Sequence, residues 1–132
     1  MAAQLRLKGK RAKFSVVHTA ASDRAAVARL VKGKQRVDAF LCDSDTTAFC
    51  LRQTLYKLGI SVPQQVMLAG FDDVRLASVM VPPLTTVHQP TEDIARQSFR
   101  RLLARIANPK LMPTEIFIQS PLIVRQSTQR QS

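Results

Sequence analysis

Aromatic and acidic residues are scarce in this sequence. It contains no Trp, six Phe and one Tyr, so a hydrophobic core has to be built from aliphatic side chains. Only 9 residues are Asp or Glu against 20 Lys and Arg, which gives a net charge of +11. No stretch approaches the roughly 20 apolar residues of a membrane helix. The basic amino terminus lacks the apolar segment of a signal peptide, so we expect a cytoplasmic protein with no membrane partner.

Cysteine and glycine are also rare. Cys42 and Cys50 form no CxxC pattern, and no histidine or second cysteine pair completes a metal-ligand set. We therefore expect both to be small buried hydrophobes, without a metal or a disulfide. The four glycines form neither GxGxxG nor a phosphate-binding loop. No nucleophile has an adjacent base, so the sequence predicts neither an enzyme nor a cofactor.

The length and the charge distribution narrow the class further. With 132 residues, 45% of them hydrophobic, the chain is long enough for one domain with a real core. Half of its 20 Lys and Arg residues fall in two separate groups, and zinc-finger, RNP-type and helix-turn-helix patterns are missing. Solvated helix faces are therefore favoured over a basic nucleic-acid-binding module, which stays an alternative. The two groups are Arg6, Lys8, Lys10, Arg11 and Lys13, then Arg96, Arg100, Arg101, Arg105 and Lys110.

Short apolar runs alternate with helical patterns through the first half of the chain. We predict strands over residues 14–18, 38–42 and 66–71. Between them, a helix capped by Ser22 extends to about Lys32, and a second begins near Asp45 and ends before Gly59. Continuous apolar strands separated by helices are typical of an α/β fold, with a parallel sheet covered by helices on both faces.

The pattern changes after Asp73. Pro82-Pro83 stops any helix, and residues 84–87 predict a further strand. Thr91 is expected to cap a third helix, which ends before Asn108-Pro109. Its predicted buried stripe consists of Ala95, Phe99, Leu102, Leu103 and Ile106. Residues 116–118 and 122–124 read as two final strand-like pieces.

Polar groups follow three of the predicted strands. In an open parallel sheet, ligands bind beyond the carboxyl ends of the strands. Residues 43–45 (DSD), the pair Asp72-Asp73 and the pair His88-Gln89 all occupy such ends. Ionised carboxylates accept hydrogen bonds from sugar hydroxyls or a purine N–H, so we predict a small-molecule site at this edge. Asp45 either joins that site or only caps its helix.

Residues 38–90 resemble the effector-binding domain of lactose-repressor/galactose-repressor family transcription regulators. The segments GFDD and PPLTTVHQP carry the resemblance, and the ending PLIVRQST is similar to the last strand of that family. The implied fold is periplasmic-binding-protein-like, with a small-molecule effector between two α/β subdomains. This chain would supply mainly the carboxyl-terminal subdomain, over residues 1–128, followed by a tail over 129–132.

The resemblance also implies roles for individual residues. AAQLRLKG is similar to the helix start that bears the family's effector-contacting arginine, which places Arg6 at that position. Ser44 falls where members often have Asn, Phe71 lies beside the ligand and Asp72 is the cleft aspartate. Gln89 falls on the polar residue after the TT strand. The subunit-pairing region would contain Phe49, Val79 and Met80.

The implied function is effector sensing and dimerisation in a DNA-binding regulator that responds to a sugar or nucleoside-like molecule. The amino-terminal subdomain and the helix-turn-helix of the family lie outside this sequence, and DNA would be bound only through that helix-turn-helix. Residues 90–107 resemble the part of the family domain that packs with the amino-terminal subdomain. A solute-binding protein of a transport system shares the fold and is the other alternative.

Overall fold

The computed structural model describes residues 2–7, 10–34 and 36–130, and side chains from residue 15 onward within those ranges. In chain order its elements are β1 (Ala2–Leu7), β2 (Lys10–Ser15), α1 (Arg24–Lys32), β3 (Ala39–Leu41), α2 (Asp45–Lys57), β4 (Met67–Asp72), α3 (Arg75–Val79), β5 (Thr85–His88), α4 (Thr91–Ala107), β6 (Leu122–Ile123) and a 3-10 helix (Gln126–Thr128).

The central sheet has the strand order β3-β4-β5-β6. Strands β3, β4 and β5 run parallel, in a register that pairs Phe40 with Leu68 and Gly70 with Thr86. The last strand, β6, runs antiparallel to β5, so the sheet is mixed at that side. The predicted α/β class is confirmed. The parallel order brings the ends of β3, β4 and β5 to one edge of the sheet.

Two helices begin at side chains that cap their first turn. Asp23, rather than the predicted Ser22, accepts hydrogen bonds from the backbone N–H groups of Ala25 and Ala26 at the start of α1. Ser44 caps α2 by accepting from the N–H of Thr47. Such caps satisfy N–H groups that have no partner inside the helix.

The core is aliphatic, as the composition predicts. It joins one face each of α1 and α2 to β4 and to the segment around Leu84. Its fully buried members include Leu55, Leu68 and Leu84, and Val27 of α1 is nearly as buried. The part of the chain that the structure describes contains no helix that is long and apolar enough to cross a membrane.

The amino-terminal region differs from the sequence predictions. Residues 14–18 were expected to form a strand, but β2 ends at Ser15, where its pairing with Ala2 of β1 ends. Arg6 was expected at a helix start, whereas its backbone lies in β1 opposite Arg11. Both differences follow from hairpin pairing, which satisfies the backbone groups of each strand.

The apolar stripe of α4 is exposed, and the prediction that it is buried in this chain is wrong. No residue of α4 is buried. The exposed fractions of Phe99 and Ile106 are 62% and 68%. Arg101, on another side of the helix, donates to Thr114 Oγ1 at 2.7 Å and to the carbonyl of Met112. The predicted strand at residues 116–118 forms no ladder. Within the described chain, no element buries the stripe.

Candidate functional site at the carboxyl edge of the sheet

Three loops meet at the edge where the parallel strands end. Ser44 follows β3, Asp72 ends β4, and Gln89 follows β5. Asp72 lies opposite His88 in the register, and the N–H of Gln89 donates to the Asp72 carbonyl at 3.3 Å. The side-chain amide of Gln89 also donates to Asp72 Oδ1 at 3.3 Å. The structure therefore brings together two of the predicted effector-binding residues.

Asp72 is a carboxylate with unused acceptor capacity at this edge. Its side chain is half-buried, and within the described residues Oδ2 accepts no hydrogen bond from the protein. Its backbone has φ of 109°, and the next residue, Asp73, has φ of 56°. Non-glycine residues rarely adopt such angles, at a cost of about 1–3 kcal/mol each, and they do so mainly at functional sites. Half-buried Phe71 precedes them.

Asp73, by contrast, has both carboxylate oxygens occupied. Oδ1 accepts from Arg125 Nη2 at 2.7 Å, and Oδ2 lies 3.1 Å from His88 Nδ1. Burial raises the pKa of this carboxyl, but the hydrogen bonds and charges of Arg125 and His88 outweigh burial, so the pKa lies below its ordinary value. Asp73 is therefore an ionised structural anchor at neutral pH, whereas Asp72 beside it has one oxygen that accepts no hydrogen bond from the described residues.

Asp45 does not cap α2, and its carboxylate is buried rather than presented at the sheet edge. It is fully buried, and its Oδ2 accepts from the N–H of Val74 at 2.9 Å. Its Oδ1 accepts from the hydroxyl of Thr86 at 2.6 Å, and that hydroxyl accepts in turn from the N–H of Asp73 at 3.3 Å. This one carboxylate thus connects α2, the loop after β4 and strand β5. Both interpretations offered for Asp45 from the sequence miss this role.

Ser44 has a local structural role with some capacity left over. Its hydroxyl accepts from the N–H of Thr47 and donates to Thr47 Oγ1, each at 3.1 Å. A hydroxyl has two lone pairs and one proton, so one acceptor site remains. An open groove of about 320 Å³ lies beside this helix start. It is lined by Thr19, Ala20, Ala21, Ser22, Asp43, Thr46, Thr47 and Cys50.

The remaining predicted site residues are distributed elsewhere. The side chain of Arg6 lies outside the described residues. Val79 is 65% exposed at the end of α3, and Phe49 is half-buried against the core. Met80 is only 6% exposed, because its side chain lies in the core, so a subunit contact would have to rest on its neighbours.

The two cysteines differ from each other. Cys42 is buried as predicted, and burial together with the nearby Asp43 carboxylate raises the pKa of its thiol to about 11, which makes it unreactive at neutral pH. Cys50 is exposed, so the expectation of a second buried cysteine is wrong. It lies on α2 away from the face that carries Ala48, Leu51 and Leu55. Among the described residues, no group of His, Cys, Asp and Glu is arranged to hold a metal ion.

Arg125 and Thr86 are the site residues that sequence reasoning missed. The Nη1 of Arg125 donates to the Leu84 carbonyl at 2.9 Å. The backbone N–H of Arg125 donates to Thr85 Oγ1 at 2.8 Å. A signal was present: a second acid directly after Asp72 requires a cationic partner, and an arginine follows the last predicted strand. Sequence spacing alone does not show that the two meet across 52 residues.

The geometry defines an α/β domain with an acceptor-rich sheet edge, and comparisons with known proteins identify its family. The sequence profile described as "Periplasmic binding protein-like domain" matches residues 2–128. The chain belongs to this family.

The chain is similar to two curated repressors. It is 36% identical over 108 residues to the HTH-type transcriptional repressor PurR of Vibrio atlanticus, which covers 80% of this chain and 32% of the repressor. It is 34% identical over 102 residues to the ribose operon repressor of Escherichia coli K12, which covers 77% of this chain and 31% of that protein. The chain thus spans about a third of the length of these relatives.

Two solved structures of regulators named as LacI family members share the fold. One, from Enterococcus faecium with bound ribose, has a TM-score of 0.68 at 27% identity. The match covers 80% of this chain and 38% of the regulator's chain. The other, from Lactobacillus casei with bound sucrose, has a TM-score of 0.66 at 30% identity. The match covers 83% of this chain and 41% of the regulator's chain. The predicted resemblance to the effector-binding domain of lactose-repressor-family regulators is confirmed.

Proposed function

We propose that this chain forms the effector-sensing wall of a transcriptional regulator, and that the effector is a sugar or a nucleoside-like molecule. The observation that carries the proposal is the Asp72 carboxylate, which has an oxygen without a protein partner among the described residues and a strained backbone at the sheet edge. The bound ribose and sucrose in the two similar structures support a hydroxyl-rich ligand.

Each predicted residue has a chemical task in this proposal. Asp72 accepts hydrogen bonds from effector hydroxyls, and Gln89 supports Asp72 while its own carbonyl oxygen accepts another. The remaining lone pair of Ser44 can accept one hydrogen bond, and Phe71 offers an apolar surface to a sugar ring. Arg6 would contribute hydrogen-bond donors from the side of the effector opposite Asp72. The hydroxyl-lined groove beside α2 suits the same chemistry.

Asp72→Asn is expected to weaken effector binding about ten- to a hundredfold, because a hydrogen bond to a charged group is worth roughly 1.5–3 kcal/mol. The fold should survive, since Asn is nearly isosteric and Asp72 supports no core. The measurement is calorimetric titration of a panel of sugars and nucleosides against a form of the regulator with both subdomains, with thermal unfolding measured in parallel.

Asp38→Asn is the matched control, because Asp38 is exposed and its side chain makes no hydrogen bond among the described residues. It should leave affinity unchanged. Unchanged binding in Asp72→Asn together with lost thermal stability would show that Asp72 is structural and would remove the main support for this function. In the 132-residue chain alone we expect weak binding, because it spans only about a third of the length of its relatives and so supplies only part of the family's two-subdomain cleft.

The exposed apolar stripe of α4 supports a domain that is divided into two subdomains, as the family resemblance implies. We infer that residues 90–107 pack with an amino-terminal subdomain, because Phe99, Leu102, Leu103 and Ile106 form one apolar face at helical spacing.

The coding sequence upstream of Met1 provides a direct check of the class of protein. An in-frame helix-turn-helix there would support a regulator, whereas an export signal would favour the solute-binding alternative. A nucleic-acid-binding module would instead show affinity that falls steeply with salt.

We also propose that the regulator forms a symmetric dimer through α3 and the outer face of α2. Val79 and Val81 are 65% and 80% exposed, and they continue toward partly exposed Leu76. On α2, Tyr56 is 70% exposed and the Arg52 guanidinium lies 5.6 Å from its ring centre. Exposed apolar clusters with aromatic and arginine side chains are typical of subunit contacts.

Val79→Asp should convert the dimer to a monomer, because a carboxylate at the centre of an apolar contact is left desolvated and unpaired. Light scattering over a range of protein concentrations measures this change. Val16→Asp places the same charge on another exposed valine, 64% accessible, and should leave the mass unchanged. A wild-type monomer at high concentration would contradict the dimer.

A further inference from the structure

The two residues that follow Asp72 are bonded to side chains from three other parts of the chain. Asp72 and Asp73 are consecutive non-glycine residues with positive φ. Such a backbone persists only where the surrounding contacts over-determine it. The contacts around the loop after β4 should therefore explain why the Asp72 carboxylate lies at the sheet edge.

Three hydrogen bonds fix the backbone and side chain just after Asp72. The N–H of Val74 donates to the buried Asp45, and the N–H of Asp73 donates to Thr86. The Asp73 carboxylate is held by Arg125 at 2.7 Å, with side-chain exposures of 19% and 20% for the two residues. Each contact comes from a different element, so the loop is tied to α2, β5 and the carboxyl-terminal segment together.

Arg125 is itself firmly anchored. Two of its donors reach the Leu84 carbonyl and Thr85 Oγ1. Two residues on, the buried Ser127 hydroxyl donates to the Leu68 carbonyl at 2.6 Å and accepts from the N–H of Thr85 at 2.8 Å. The guanidinium therefore has a fixed position relative to β4 and β5, from which it holds Asp73.

We propose that Asp73 and Arg125 are positioning residues that hold Asp72 in its positive-φ conformation and thereby aim its carboxylate at the effector without contacting the effector themselves. This inference rests on the proposed function for its binding consequence, but its structural part stands independently. Because both Asp73 oxygens are already occupied by protein groups, the carboxylate has little capacity for a ligand. Its effect on affinity must then pass through Asp72.

The first test measures the backbone of the 132-residue chain directly. A residue with positive φ brings its own N–H and Hα close together, which gives a strong intraresidue NOE in a ¹⁵N-labelled sample. Asp73→Asn should weaken this NOE at Asp72, because the neutral amide loses the ion pair with Arg125. Glu115→Gln removes an exposed carboxylate elsewhere and should leave the NOE unchanged. If Asp73→Asn does not fold, Arg125→Lys provides the same readout, because lysine keeps the charge but lacks the two-pronged guanidinium that joins Asp73 to the Leu84 carbonyl.

The second test is a double-mutant cycle in the regulator form with both subdomains, titrated with the best sugar or nucleoside of the panel. Asp73→Asn alone should lower affinity about tenfold, but less than about twofold when added to Asp72→Asn, because the two effects share one pathway. Additive losses, or a lost affinity with an unchanged Asp72 NOE, would mean that Asp73 contacts the effector and would overturn the proposal. If the wild type binds no panel member, the proposed function fails, and the NOE alone decides whether Asp73 positions Asp72.

Discussion

Alanine at position 70 is expected to lower the free energy of unfolding by about 3 kcal/mol or more, the upper end of the cost of overpacking a core. A Cβ on Gly70 would lie 2.2 Å from Asp45 Oδ1, 3.2 Å from Asp45 Cα and 3.0 Å from Leu84 Cδ2. The Asp45 carboxylate cannot move aside without breaking its bonds to Val74 and Thr86. The close approach of α2 to β4 therefore requires glycine at this position.

Urea denaturation of Gly70→Ala beside Gly59→Ala separates steric crowding from backbone strain. Gly59 has φ of +72° and no atom within 4 Å of an added Cβ, so Gly59→Ala should cost only about 1–2 kcal/mol. The two variants differ only in the position of one methyl group. Equal losses for both, or a negligible loss at position 70, would show that α2 and β4 do not pack as closely as described.

Removal of the Asp45 carboxylate should have an effect of similar size. In Asp45→Ala the N–H of Val74 and the hydroxyl of Thr86 lose their shared acceptor in a fully buried place. Each unsatisfied donor costs about 1–3 kcal/mol, so the two together should lower the free energy of unfolding by about 2–6 kcal/mol, measured by urea denaturation. Asp45→Asn should lie between wild type and Asp45→Ala, because its amide offers one acceptor oxygen to two donors.

Asp43→Ala is the matched control for Asp45→Ala. Asp43 is an exposed aspartate two residues away, and its removal should change stability by no more than about 0.5 kcal/mol. If the two variants lose equal stability, the buried network is not what holds the loop after β4. If only Asp45→Ala lowers the free energy of unfolding strongly, that variant should also bind the effector more weakly. The reason is that Asp45 is bonded to Val74 and Thr86, which hold the same loop as Asp72.

The local patterns of the sequence predicted most of the elements that form this sheet. Strands β3, β4 and β5 and helices α1, α2 and α4 lie within one or two residues of their predicted bounds, because apolar periodicity and stop residues such as Gly59 act over a few neighbouring positions. The grouping of Asp72 with Gln89 was also predictable, since parallel strands bring their carboxyl ends to one edge.

Pairing between distant segments could not be predicted in this way. The hairpin of β1 and β2, the antiparallel β6 and the loss of the strand at residues 116–118 depend on which partner each segment finds. Burial of α4 failed for a related reason. An amphipathic pattern shows that a helix has an apolar face, but only the presence of a packing partner buries that face.

Sequence by itself determined that this chain is an α/β domain of the periplasmic-binding-protein-like family that resembles lactose-repressor-family regulators, with carboxylates at the ends of its parallel strands. Only the tertiary structure decided which carboxylate does what. Asp45, Asp72 and Asp73 are alike in sequence terms, yet their surroundings differ. Asp45 is buried between two donors, Asp73 is occupied by Arg125 and His88, and Asp72 has one oxygen that accepts no hydrogen bond from the described residues. The reason is physical: the availability of a carboxylate depends on donors within about 3 Å, and those donors come from residues far apart in the chain.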